Sequence, residues 1–339
     1  MERLSEGDAL QLCEEMLLAV GMQKEPAANV ASHLVDASLR GIDSHGLERI
    51  PQYIRRIRSG EIRADVVPEV AWVQGAIIQV RGNAGLGIPA MQMAADRLGP
   101  LAHQNGIAAA AVVDVTHTGR IGAYVESLAN GGCFAFALGG GAYEQGGRVA
   151  PHGGAKGVLS TNPYAFSLPG GSYEPVVVDF ATSTVAQGKV MLARNRGEAL
   201  PPDSLLDRDG NPSQRPEDFY NGGSLLTAAG PKGYGMALIA ELIGCALIGA
   251  PKEFNWLIVA LDLARFRTPS AFATAAQQCL AEIKAVPPRD GFDEVMIPGE
   301  PERRMRAQRR KDGIPIDAVL LQSLRDAAVS LDMMPDILA

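Results

Sequence analysis

A chain of 339 residues has room for two or three compact units and a sizeable core. With 47% hydrophobic and 20% charged residues it reads as a folded protein, and a 5% aromatic share with 38 glycines implies an aliphatic interior and many tight turns. The formal charge of -7 argues against a general binder of nucleic acid or of anionic membranes.

Residues 5 to 40 carry helical periodicity in Leu10, Cys13, Leu17 and Val20, then in Val30, Leu34, Ala37 and Leu39 after Pro26. Gly21 separates two helices and Gly41 ends the second. The stretch GIDSHGLERIPQY (41–53) reads as a helix start, continued by an amphipathic helix over 51–63 that carries Arg55, Arg56 and Arg58. VVPEVAWV and AIIQVRG read as paired short strands, 88–106 as a helix closed by Gly106, and IAAAAVVDV (107–115) as a buried strand. Between 131 and 190, CFAFALGG, TNPYAFSLP and EPVVVDFAT are strand candidates. The Gly, Asn and Pro turns between them predict a mostly antiparallel sheet rather than a βαβ repeat.

YGMALIAELIGCALIGA (234–250) is a long apolar helix. Its run from 236 reads as buried, and at that length, with Glu241 inside, as too short to cross a bilayer. NWLIVALDL is a further strand, 270–284 a helix and 287–302 a loop, and the last twenty residues return to helix. Cys13, Cys133, Cys245 and Cys279 form no CxxC pair, which points to a reducing compartment and away from zinc; no metal site is expected. The N-terminal stretch is charged and has no apolar signal core, so the expected location is the cytoplasm.

Several motifs carry chemistry. GLGIPA (85–90) follows a strand and opens a helix as a dinucleotide fingerprint does, with Asp114 within reach of the acidic position; the alternative is a plain glycine turn. GPKGYG (230–235) puts Lys232 at a helix N-terminus, which favours anions, although a solvated lysine explains it too; without a GK[ST] ending it is no P-loop. DVTHTGRIGAY (114–124) follows a buried strand and gathers His117, Thr118 and Arg120 around open glycine backbone. Asp179 in VVVDFATS is either a ligand contact or a cap. In DSHGLER, a helical reading places His45 and Arg49 at i and i+4, on one face. Imidazole exchanges protons near neutrality, guanidinium clamps a carboxylate with two bonds, and Ser44 can bond the imidazole or a substrate oxygen. The set suits a small acid with an oxygen on the neighbouring carbon.

GIDSHGLERIPQYIRRIRSGEI, THTGRIGAY, LSTNPYAFSLP, VVDFATSTVAQGKV, GPKGYGMALIAELIGCALIGA and VMIPGEPERRMRAQRRKDGIPI together resemble, in order, the type 2 malate/L-lactate dehydrogenase family. That family also holds ureidoglycolate and sulfolactate dehydrogenases, diketogulonate reductase and piperideine-2-carboxylate reductase. The resemblance implies an α+β, non-Rossmann fold, with a helical substrate-side domain (1–116 with 285–339) and a cofactor domain (117–284) on a largely antiparallel sheet, in a homodimer. It makes GLGIPA a structural turn. It implies hydride transfer between NAD or NADP and a small 2-hydroxy or 2-oxo acid; the alternatives are reduction of a cyclic imino acid, such as piperideine- or pyrroline-2-carboxylate, and ureidoglycolate oxidation.

By motif, His45 resembles the proton carrier, Ser44 its hydrogen-bonded partner and Arg49 the carboxylate clamp. Thr161, Gln187 and Gly188 match substrate-contacting positions. His117, Thr118, Gly119, Arg120 and Ile121, the turn Asp179, Phe180 and Ala181, and Lys232, Arg304 and Arg306 match cofactor-contacting ones. The run Arg303, Arg304, Arg306 either favours NADP or is a solvated helix face. A hydrolase using Ser44 as nucleophile is the competing class, disfavoured because there is no GxSxG elbow. A cofactor-binding relative without activity is the third reading.

Overall fold

The computed structural model describes residues 2–141 and 147–338. The chain opens with β1 (Glu2–Leu4), α1 (Glu6–Ala19), α2 (Lys24–Leu39) and α3 (Arg49–Arg58). There follow β2 (Glu69–Gln74), β3 (Ile77–Gly85), α4 (Gly87–Asn105), β4 (Ile107–Val115), α5 (Gly122–Asn130), β5 (Cys133–Gly140), β6 (Pro163–Gly170) and β7 (Tyr173–Ala181). A smaller region holds α6 (Gln187–Arg196), β8 (Leu205–Leu206), β9 (Pro212–Ser213), α7 (Pro216–Tyr220) and β10 (Ser224–Leu225). The chain closes with α8 (Pro231–Leu242), β11 (Asn255–Asp262), α9 (Pro269–Lys284), α10 (Glu300–Asp312), β12 (Ile314–Ile316) and α11 (Ala318–Ser330).

Seven strands form one sheet in the order β2-β3-β4-β11-β5-β6-β7, antiparallel throughout except for β3 beside β4. That pair is parallel because α4 carries the chain back along the sheet between them. Alternate residues of the strands, such as Ala108, Ala110, Val112, Ala135 and Ala137, face α4 and α5 and form one core with Leu98, Tyr124 and Trp256. A second core packs α1, α2 and α3 on α11, through Leu12, Met16, Leu34, Tyr53 and Leu324. Side-chain caps hold both ends of this helical layer: Ser5 accepts the Asp8 N–H, and Asp317 accepts the Leu320 N–H. β1 pairs with β12, so the chain's two ends close on each other.

Gly85 and Gly87 are structural, as the resemblance implies. A Cβ at Gly87 would stand 2.4 Å from Thr118 Cγ2 and 2.6 Å from the Thr116 carbonyl oxygen, so only glycine lets α4 start this close to the loop after β4.

Several boundaries differ from expectation. α3 starts only at Arg49 and ends at Arg58, before the expected 63. α10 opens within the expected 287–302 loop, while the expected terminal helix ends at Ser330, giving way to a 3-10 turn at Asp336–Leu338. Asp179, Phe180 and Ala181 finish strand β7 rather than forming a turn, and Gln187 and Gly188 open α6. The border at 116 falls within the sheet, because β2, β3 and β4 precede it and β5, β6, β7 and β11 follow it.

The apolar helix differs most. α8 runs on as a π-helical segment, Ile243–Ile248, making 18 residues of mean hydropathy 1.3, which by length and composition alone is enough to cross a membrane. It is not a buried helix: Ala237, Ala240 and Glu241 face inward, but Leu238, Ile239, Leu242 and Leu247 are exposed. The inward carboxylate explains the packing. Glu241 accepts the Gly141 and Ser160 N–H groups at 2.6 and 2.8 Å, the Ser160 hydroxyl at 2.5 Å and the Asn162 amide at 3.0 Å. A buried carboxylate with four donors anchors the helix to the end of β5 and the turn before β6.

Candidate active site

Asp43–His45 is a single 3-10 turn, and Gly46 departs from helical geometry before α3 begins. His45 and Arg49 are therefore not at i and i+4 of one helix; a turn joined to a helix start brings their side chains together. Ser44 Oγ lies 3.0 Å from His45 Nδ1. Arg49 Nε donates to the Ser44 carbonyl at 2.6 Å, and its Nη1 donates to Gln52 Oε1 at 2.6 Å. Two anchors orient the guanidinium and leave its outer edge for a carboxylate. The start of α6 closes on this turn: a Cβ at Gly188 would lie 2.9 Å from Ser44 Cβ.

His117 stands beside His45, with ring centroids 5.5 Å apart. Its Nδ1 accepts the Gly119 N–H at 3.2 Å, which places the ring proton on Nε2, so the Tyr53 hydroxyl, 2.6 Å away, is a second donor to Nδ1. His33 stacks on Tyr124 and accepts the Arg120 N–H at Nε2, 2.8 Å away, which places its own proton on Nδ1. Gly119, at φ +71°, passes so close that a Cβ would meet His33 Nε2 at 2.2 Å. Three of the chain's five histidines thus gather around the 117–121 loop.

Burial sets their protonation. Loss of water, then the Arg49 and Arg120 charges, lowers the His45 pKa to about 4. Burial, then Arg120, lowers that of His33 to about 3. Burial, then Arg49, takes His117 well below its ordinary value. All three are neutral at pH 7, and a neutral imidazole accepts protons.

Beneath the loop lies a network of charges. Arg120 Nη2 reaches Glu126 at 3.2 Å and Asp36 at 3.5 Å; Arg40 reaches Asp36 at 2.7 Å and Glu126 at 3.2 Å; Arg306 reaches Asp36 at 3.0 Å. Arg40 and Arg120 hold the Asp36 carboxyl below its ordinary pKa although burial opposes them. Asp179 accepts the Gly122 N–H at 2.6 Å and so caps α5. Loss of water around it raises its pKa despite that bond.

Thr161 and Asp179–Ala181 come together because the Thr161 carbonyl accepts both the N–H and the hydroxyl of Thr182, at 3.0 and 3.1 Å. Lys232, in the first turn of α8, borders the same place: a Cβ at Gly233 would lie 3.0 Å from the Thr182 carbonyl oxygen. Thr118 and Ile121 are buried within the loop, and Phe180 is exposed while stacking on Tyr164. Arg304 is engaged elsewhere, paired with Glu294 and Glu300, and Arg303 donates to the Pro175 carbonyl. In the basic run of α10, Arg304 is exposed yet paired, and Arg303 and Arg306 are partly buried. Sequence reasoning missed His33, Tyr53 and Asp36. Tyr53 had a local signal, standing one helical turn after Arg49; His33 had none.

The family model for malate/L-lactate dehydrogenase matches residues 4–325. The chain belongs to this family. Within it, the chain is 33% identical over 337 residues to (2R)-3-sulfolactate dehydrogenase (NADP(+)) of Chromohalobacter salexigens, covering 95% of this chain and 97% of the relative. It is 31% identical over 325 residues to ureidoglycolate dehydrogenase (NAD(+)) of Escherichia coli O157:H7, covering 90% of each. The structure of delta1-piperideine-2-carboxylate reductase from Pseudomonas syringae superposes with a TM-score of 0.87 at 28% identity, covering 97% of this chain and 100% of that one.

Proposed function

We propose that this member of the malate/L-lactate dehydrogenase family is an NAD- or NADP-dependent oxidoreductase acting at carbon 2 of a small 2-hydroxy or 2-oxo acid. One observation carries the reading: the Ser44–His45 pair, 3.0 Å apart, stands on the same turn whose carbonyl orients the Arg49 guanidinium. Proton carrier and carboxylate clamp are thereby held at one turn, as a carboxylate beside the reacting carbon requires.

Arg49 holds the carboxylate, and His45 takes the hydroxyl proton in oxidation and returns it in reduction, with Ser44 steadying its Nδ1. Binding a carboxylate neutralises Arg49, removes one of the charges that depress His45, and so raises its pKa in the complex. The residues present fit a dinucleotide. Lys232 at a helix N-terminus suits a phosphate, and Phe180 offers an exposed ring. Lys232, the 117–121 loop and Asp179–Ala181 would hold the cofactor, with Thr161, Gln187 and Gly188 toward the acid. When bound, the nicotinamide supplies or takes the hydride. Arg120, within that loop, and Arg306, on α10, brace it through their shared partner Asp36.

We assign the helical layer to the substrate side and the sheet, with the small region after β7, to the cofactor side. We also assign a homodimer formed through the exposed apolar face of α8. A spectrophotometric panel of 2-hydroxy and 2-oxo acids with both cofactors tests the activity; no turnover of any of them refutes it. Turnover of cyclic imino acids alone would instead assign the reductase reading, with which the likeness to the P. syringae enzyme is also compatible.

A further inference from the structure

The motif RRMRAQRRKDGIPI has two arginines that neither the substrate nor the cofactor reading uses, Arg309 and Arg310, and Arg310 is paired with Glu6 at the surface. Arg309, in the last turn of α10 and largely buried, donates from Nη1 and Nη2 to the two carboxylate oxygens of Asp43, at 2.6 and 3.1 Å. The same Nη1 donates to the carbonyl oxygen of Ser38, at 2.5 Å. Ser38 also acts from the other side, its hydroxyl accepting the Leu47 N–H at 2.9 Å. Between these anchors lies only the turn of Ser44, His45 and Gly46, and a Cβ at Gly46 would stand 2.0 Å from Ser38 Oγ. The turn is fixed at both ends, with Gly46 packed against Ser38.

We infer that Arg309 is a positioning residue, which holds the Ser44–His45 turn in register with Arg49 through a bidentate clamp on Asp43. The inference rests on the reading of His45 as the proton carrier. Two parallel charge-assisted bonds fix direction as well as distance, which one ammonium does not do. Asp43 begins the 3-10 turn, so holding its carboxylate in place restrains the backbone that carries the next two residues. Displacement by about 1 Å costs on the order of 100-fold in rate when proton and hydride transfers must align.

The test uses the full chain, with the acid and cofactor that give turnover. His45→Ala is measured first, since retained turnover would refute the parent reading rather than this one. With that collapse established, Arg309→Ala is expected to lower kcat by about 10- to 100-fold. The cofactor Kd and the binding stoichiometry, read by nicotinamide fluorescence, should both stay within about twofold of the unmodified protein, whereas loss of folded protein would lower the stoichiometry in step with kcat. Arg309→Lys should recover only part of kcat, and millimolar guanidinium ion added to Arg309→Ala should recover more. Asp43→Asn should reproduce the loss, and the double variant should be no worse than either single one. Near-normal kcat in Arg309→Ala overturns the proposal, as do additive losses in the double variant or a cofactor Kd that weakens in step with kcat.

Discussion

At the scale of single residues, His45 and Arg49 are expected to fail differently. His45→Ala removes a proton carrier, typically worth about 10²–10⁴-fold, so kcat should collapse while cofactor affinity holds. Arg49→Lys keeps a charge but loses the fork, so the KM for the acid should rise before kcat falls. Ser44→Ala should be milder than His45→Ala, since the serine steadies the ring and carries no proton to substrate. Steady-state kinetics on the three variants separate the roles, and normal turnover in His45→Ala would remove it from the chemistry. The pKa adds a second check. Oxidation needs neutral His45, so kcat/KM, which reports the free enzyme, should stay flat from pH 8 to about 5 and fall as the pH approaches about 4. An inflection near 6.5 would mean that the ring is neither buried nor held beside Arg49.

At the scale of elements, Glu241 joins three of them: α8, the end of β5 and the turn carrying Thr161. Glu241→Leu would leave four donors without their acceptor in a buried place and should cost about 3 kcal/mol or more. Glu241→Gln keeps shape and one acceptor and should cost less. Denaturant unfolding of both variants measures the difference, and equal stability of the two would deny the carboxylate its anchoring role. The helices and strands themselves were largely legible from periodicity, including the antiparallel hairpin of β6 and β7. The 3-10 turn at Asp43–His45 was not. Its residues fit a helix start locally, and the tighter turn is held by the nearby Ser38 together with Arg309, which is distant in sequence.

At the scale of the whole molecule, acid should unfold the protein sooner than its carboxylates alone would require. His33 and His45 bind protons less readily when folded, with values of about 3 and about 4 against an ordinary 6.5. Below pH 6.5 the unfolded chain therefore holds more protons, so this contribution to stability is whole above 6.5 and shrinks as pH falls toward 4. The melting temperature should drop across that window, and His33→Gln should flatten the drop; an unchanged slope would show that His33 titrates normally. Assembly gives the second check. Ile239 and Leu242 lie on the exposed face of α8, so the pair Ile239→Asp with Leu242→Asp should convert a sedimenting dimer to monomer. A native protein that is monomeric and fully active at assay concentration would refute the proposed interface.

The sequence by itself determined the classes of element, the antiparallel character of the sheet and the segment holding Ser44, His45 and Arg49. These follow from local periodicity, turn chemistry and a run of family motifs, all readable over a few residues. The tertiary structure alone decided which way α8 faces, because an apolar run does not say which side will find a partner, whereas Glu241 and its donors do. It alone brought His33 to Arg120, Tyr53 to His117 and Arg309 to Asp43, across separations of 87, 64 and 266 residues. Such pairs meet only when separate elements pack, so no local pattern encodes them.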